Sequence, residues 1–163
     1  MTNDMDAARD AIIAALPSWQ VLVVQHNELV ARRMGVSPSD LQCLFVLSRH
    51  GTCTPGRLAR EIGLTTGSAS RMVERLLVAG LVERTPDPDD RRRVVVAARG
   101  EALERVAELY EPLNVRLREL LGDLDLAALM GMLDFVRAAE GATVQTLREQ
   151  GVGQPSPTGP VMR

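Results

Sequence analysis

The stretch TPGRLAREIGLTTGSASRMVERLLVAGLVERTPDPDDRRRVVV, Thr54 to Val96, holds two helix starts, two glycine stops and a charged hairpin in direct succession. Thr54 before Pro55 is a capping hydroxyl followed by a residue whose missing N–H costs nothing in a first helical turn. Leu58, Ala59 and Ile62 then share a face and Gly63 can close the end, which spells a short helix. A tight connection, Leu64-Thr65, leads to a second helix over Thr66 to Ala79, stopped by Gly80. In it Ala69, Met72, Val73, Leu76 and Leu77 recur at i, i+3, i+4, i+7 and i+8, the apolar stripe of one helical face. Beyond Gly80, Leu81-Val82-Glu83-Arg84 and the β-branched Val94-Val95-Val96 read as paired strands, with Pro86 and Pro88 stiffening the charged loop between them.

Working outward, Ser37-Pro38-Ser39-Asp40 is another helix start. The helix it opens, Leu41 to Ser48, has Leu41, Leu44 and Phe45 on one side and Cys43, Val46 and Leu47 on others, so it should be a core helix packed nearly all round. Further upstream, Ile12, Ala15, Leu16, Trp19, Leu22, Val23, Leu29 and Val30 mark a long amphipathic helix. Pro17 either starts it or kinks it. Downstream, Leu103, Val106, Tyr110, Leu113, Leu117, Leu120 and Leu124 are spaced alternately three and four apart, a heptad seam that Pro112 should kink or divide. A final helix begins near Asp123 and carries Leu126, Leu129, Met130, Leu133 and Val136. The ending GVGQPSPTGPVMR, with three glycines and three prolines, reads as a disordered tail.

At 163 residues, 45% apolar and 25% charged, the composition is that of a globular protein and predicts one folded unit. No uninterrupted apolar run approaches the ~20 residues of a membrane span, and the acidic start MTNDMDAARD lacks the basic region of a signal peptide. The expectation is a cytoplasmic protein with no membrane partner. In that compartment Cys43 and Cys53 should be reduced thiols. The formal charge of −2 gives no hint of an acidic partner, but all 19 basic residues are arginine, each a planar fork able to hold phosphate or guanine bidentately.

Two short helices, a tight turn and a charged hairpin come in the order of a winged helix-turn-helix. With the apolar stripe of the second helix facing inward, the opposite face presents Gly67, Arg71, Glu74, Arg75 and Val78, flanked by Ser68 and Ser70. Thr65, Thr66, Ser68 and Ser70 can donate to phosphates or base edges, and Arg71 can read guanine. Arg75, one turn on and near Glu74 and Glu83, is either a DNA contact or half of a structural ion pair. In the hairpin, arginines suit a narrow minor groove while aspartates are repelled by DNA. Asp90 paired with Arg92 explains the mixture, since a carboxylate can hold a guanidinium extended. A salt bridge on an idle tip is the alternative.

At Leu58-Ala59, Leu64 to Leu76, Ala79 to Arg84 and Asp87 to Arg92 the chain resembles the MarR family of bacterial transcription regulators. The order of its helices extends the resemblance over about Asp10 to Gln150. The resemblance implies a fold mainly of α-helix with a small β-hairpin wing. It divides the chain into an N-terminal helix (1–36) and C-terminal helices (99–150) that form a dimerisation region, a winged helix-turn-helix (37–98), and the tail (151–163). It further implies a homodimer on the palindromic operator of double-stranded DNA. Thr65, Thr66, Ser68, Ser70, Arg71 and Arg75 would lie at the major groove, with Arg92, steadied by Asp90, in the minor groove and Arg91 beside it as a further DNA contact. A small aromatic or phenolic effector would release a repressor of this kind, and Trp19 and His26 are candidates to line its pocket, against plain core and interface roles. No cofactor is implied. In one departure, Val96-Ala97-Ala98-Arg99-Gly100 lacks the Leu-Thr that usually precedes the glycine matching Gly100, which leaves the second wing strand and the start of the next helix open.

Three other readings compete. An enzyme is not expected, since His26 and His50 are the two histidines and no nucleophile triad, phosphate loop or carboxylate pair is visible. Cys43, His50 and Cys53 match no standard zinc spacing, so no metal is expected. A redox-responsive regulator would use Cys53, placed in a loop where it can be exposed. A winged module that binds protein in place of DNA would fit the acidic total.

Overall fold

The computed structural model describes residues 2–87, 90 and 93–151. The expectations for Arg91, Arg92 and the tail beyond Gly151 therefore fall outside the described residues. The chain is mainly helical with a small antiparallel sheet. Its order is α1 (Thr2–Met34), α2 (Pro38–His50), β1 (Thr52–Cys53), α3 (Pro55–Ile62), α4 (Thr66–Val78), β2 (Val82–Pro86), β3 (Val94–Ala98), α5 (Gly100–Leu121) and α6 (Leu126–Glu149). In place of one folded unit there are two compact units, one ending at Pro38 and one beginning at Ser39.

The first unit is essentially α1, which continues through Pro17 and so is neither started nor divided by it. At about 1.5 Å per residue, 33 residues make a rod of roughly 50 Å. Its apolar stripe is largely open, with Ile12, Ile13, Trp19, Val21 and Leu22 all more than half exposed. Gly35 ends it in the left-handed conformation, φ 72°, and donates to the Arg32 carbonyl. The helix adds to the sequence-based view of membrane spans. No charged residue stands between Asp10 and Glu28, so the helix is long and apolar enough, by length and composition, to cross a bilayer. Polar residues such as Gln20 and Gln25 break the apolar run and hide this from a residue-by-residue count.

In the second unit, β3 lies between β1 and β2. Val82 to Pro86 pair antiparallel with Ala98 to Val94, which is the wing hairpin as read from the sequence. The third strand, β1, pairs Thr52 with Ala97 and Cys53 with Val96. Two residues are too short for any alternation to show. The core is built from Leu41, Cys43, Leu44 and Leu47 of α2, Leu58 and Ala59 of α3, Ala69, Met72, Val73 and Leu76 of α4, and Val82, Val95 and Val96 of the sheet.

The helix ends follow local chemistry. The Thr54 hydroxyl accepts from the Arg57 amide at 3.2 Å, and Gly63, φ 73°, closes α3. Gly80, φ 69°, turns the chain from α4 into the wing, where the Leu81 amide donates to the Leu76 carbonyl. The Asp125 carboxylate caps α6 at 2.8 Å from the Ala128 amide, two residues later than the start expected at Asp123. Helix α5 runs unbroken past Pro112. Where the sequence lacks the usual Leu-Thr, β3 extends to Ala98 and Arg99 occupies the N-cap of α5 without a side-chain hydrogen bond. Its amide donates instead to the Leu81 carbonyl at 3.0 Å.

Candidate nucleic-acid interface

Helix α4 turns Ala69, Met72, Val73 and Leu76 into the core, so its other face is directed outward by the same periodicity. Thr66, Gly67, Ser70, Arg71, Glu74, Arg75 and Val78 are exposed on it. Thr65 is the N-cap. Its hydroxyl oxygen accepts from the Ser68 amide at 3.2 Å, and its hydroxyl donates to Ser68 Oγ at 3.0 Å. Arg71 Nη2 donates to the same Ser68 oxygen at 3.3 Å. Thr65, Ser68 and Arg71 thus form one connected chain at the helix start, next to backbone amides with no partner inside the helix. With Ser68 Oγ accepting both bonds, its proton stays available to a ligand.

Arg75 turns the other way. Its Nη2 lies 2.7 Å from Asp40 Oδ1 and its Nε 3.5 Å from Oδ2, a bidentate pair between the third turn of α4 and the first turn of α2. Of the two readings from the sequence, the ion pair is present, but its partner is Asp40 and neither Glu74 nor Glu83. The Asp40 side chain is 6% exposed and that of Arg75 is 53% exposed. Glu74 instead accepts from Arg84 of β2 at 2.7 Å, tying the helix to the wing across an exposed surface.

At the wing, the Asp87 amide donates to the Arg93 carbonyl at 2.9 Å and the Arg93 amide to the Asp90 carbonyl at 2.8 Å. Asp90 is exposed, and its expected partner Arg92 is outside the described residues. Behind the wing, His50 Nδ1 is 3.0 Å from Arg57 Nη2, and Glu61, whose side chain is buried, lies 3.7 Å from Arg57 Nε. Burial and the neighbouring Arg57 guanidinium hold His50 below its usual range, so the neutral ring is favoured.

The reading of Cys53 as a thiol that can be exposed is corrected, since both cysteines are buried. Cys53 is 2% exposed in β1, and burial pushes its thiol above the ordinary range despite the cation of Arg57. Cys43 is fully buried in α2, with its thiol pushed up to about 12 by burial and then by Asp40 and Cys53. Both changes oppose thiolate formation, the step a redox sensor needs. Among the described residues, no group of three or more His, Cys, Asp or Glu side chains is placed to hold a metal ion.

A cavity of about 360 Å³ lies between α2 and α5, a site that sequence reasoning missed. Leu44, Phe45, Leu103 and Val106 make it mainly apolar, while Ser48, Tyr110 and Asn114 bring polar groups. The Phe45 and Tyr110 rings meet edge to face at 5.4 Å along its wall. Its only sequence signal is Ser48, Tyr110 and Asn114 standing next to apolar seams, which any surface position also offers. Trp19, a candidate pocket residue by sequence, is 55% exposed on α1.

The family model described as MarR family matches residues 34–93. The chain is also 34% identical over 116 residues to the HTH-type transcriptional regulator YcgE of Bacillus subtilis (strain 168), spanning 71% of this chain and 75% of that protein. The chain belongs to the MarR family. MarR-family proteins are DNA-binding transcription regulators, so the exposed apolar α1 is weak ground for a membrane protein and catalysis is not the family's activity. The fold agrees: RV1404 from Mycobacterium tuberculosis superposes with a TM-score of 0.63 at 24% identity, covering 82% of this chain and 92% of that one. NadR, solved in complex with 4-hydroxyphenylacetate, superposes with a TM-score of 0.58 at 20% identity, covering 78% and 89%.

Proposed function

We propose that this MarR-family regulator is a homodimeric repressor that reads a palindromic operator with α4 and the wing and leaves it when a small aromatic acid binds. The observation that carries the reading is the outward face of α4, where Thr65, Ser68 and Arg71 form a connected donor set at a helix start. Thr66 and Ser70 extend that set toward the phosphates, and Arg71 reads a base edge. Arg75 serves first to hold α4 against α2. Arg92, positioned by Asp90, makes the minor-groove contact, and Arg91 is a further DNA contact.

Dimerisation is supported by the apolar faces left open at both chain ends. Ile12, Trp19 and Leu22 of α1 and Met130, Phe135 and Val136 of α6 are all 46% or more exposed, large apolar side chains on two helices that a partner surface would cover. On this reading residues 1–36 and 99–150 form the dimerisation region, 37–98 the DNA-binding domain and 151–163 a tail. The effector site is the cavity between α2 and α5, whose apolar walls and three polar groups suit one aromatic ring with a polar substituent. NadR's complex with 4-hydroxyphenylacetate supports that ligand class.

The test is titration of the full chain against a fluorescent fragment of its own upstream intergenic DNA, with unrelated competitor, at two salt concentrations. Tight, competitor-resistant binding by two protomers per site is expected, with Arg92→Ala flattening the log–log salt slope by roughly one unit for each phosphate it no longer neutralises. Binding no better than to competitor overturns the operator reading.

A further inference from the structure

A second hollow, of about 290 Å³, opens between α3 and the base of the wing. Its rim brings together Arg57 and Arg60 of α3, Arg93 and Asp87 of the wing, and the hydroxyls of Thr52 and Thr54. Unlike the cavity between α2 and α5, it is lined mainly by polar atoms.

The charges do not cancel. Arg57 is shared with His50 and Glu61. Arg60 and Arg93, both exposed, have no ion-pair partner among the described residues. Asp87 is the one carboxylate on the rim among the described residues and is engaged in an interaction within the protein. Three guanidiniums around one concavity repel one another, and an anion seated among them removes that penalty while accepting their N–H donors. Two threonine hydroxyls beside the guanidiniums offer more donors than the two oxygens of a carboxylate use, and a tetrahedral oxyanion presents more acceptors. The single aspartate disfavours a doubly charged ligand.

We infer that the hollow between α3 and the wing base is a binding site for a singly charged phosphate group. Two sources share that chemistry, a phosphodiester of the DNA backbone and a free phosphate species. The site adds Arg60 and Arg93 to the residues that meet anions, apart from the outward face of α4. Only the first source rests on the DNA-binding reading.

The test compares the full chain with an Arg60→Gln, Arg93→Gln variant, and with Arg60→Lys, Arg93→Lys, which keeps the charge but loses the fork. One arm measures the salt dependence of binding to a duplex. The other measures the thermal midpoint in inorganic phosphate near pH 6, where the monoanion is present, against chloride of equal ionic strength. A glutamine variant whose log–log slope falls by about one unit or more identifies the DNA backbone as the source. An unchanged slope, with a phosphate-dependent rise in midpoint that the glutamine variant loses, identifies free phosphate. If both readings match those of the unaltered chain, the inference is overturned while the operator reading stands. If the unaltered chain binds no duplex at all, the operator reading fails and the phosphate arm alone decides.

Discussion

Asp40 in the first turn of α2 grips Arg75 in the third turn of α4 through two hydrogen bonds, the shorter 2.7 Å, and the carboxylate is buried while the guanidinium is half in water. The pair fixes how α4 sits on its own domain. Because Arg75 is well exposed, solvent screens the attraction, and a double-mutant cycle with Asp40→Ala and Arg75→Ala should give a coupling of only about 1 kcal/mol. Arg75→Ala should nevertheless destabilise the fold, because it strips a buried carboxylate of its bidentate partner. A coupling near zero in chemical denaturation would show that the pairing is incidental.

Arg71→Ala leaves the α4 stripe and the Thr65 cap in place, so stability should change little. Binding to an operator should weaken by about 1–3 kcal/mol and lose preference at one position in each half-site. Competition among operator fragments with single base changes measures this. Uniform weakening across all fragments would make Arg71 a phosphate contact and not a base reader.

With Cys43 and Cys53 both buried and both thiols raised, the native chain should resist alkylation by iodoacetamide at neutral pH and label only on unfolding. DNA binding should survive peroxide, and Cys53→Ser should behave as the parent does. Loss of binding in peroxide that Cys53→Ser prevents would restore the redox reading.

His50 titrates below its unfolded value of 6.5 because burial and Arg57 disfavour the imidazolium. The unfolded chain therefore takes up the proton first as pH drops. Above about 6.5 the residue contributes no pH dependence, and stability should decline as pH falls from there toward the folded pKa. His50→Gln should flatten that part of the curve in urea titrations run from neutral into mildly acidic buffer. An unchanged slope would place the sensitivity elsewhere.

Arg99 holds an extended N-cap conformation, φ −73° and ψ 143°, without a side-chain bond to α5. Arg99→Ser supplies the missing acceptor and should stabilise the chain by about 1 kcal/mol, seen as a higher denaturation midpoint. No gain would mean that the bond of its amide to Leu81 already sets the helix start.

The helix-turn-helix and wing were legible because their signals are local: Thr54 and Thr65 cap within three residues, Gly63 and Gly80 stop within one turn, and Ala69 to Leu76 repeat at helical period. What escaped depends on distance along the chain. Asp40 and Arg75 are 35 residues apart, and nothing in either neighbourhood names the other. Strand β1 exists because distant Val96 pairs with Cys53, and with that partner out of local view Cys53 reads as a loop thiol. The cavity between α2 and α5 needs two helices in place before Ser48 and Tyr110 can face one space.

The chain of bonds from Thr65 through Ser68 to Arg71 has a thermodynamic side. A free arginine surrenders up to about 2 kcal/mol of rotamer entropy when it is ordered. Part of that loss falls on folding here, since Arg71 is tethered to Ser68 before any duplex arrives. On the proposed reading of a base edge by Arg71, association starts from a narrowed set of side-chain poses, and mispaired sites, which pull Arg71 off its tether without repaying it, should dissociate fastest.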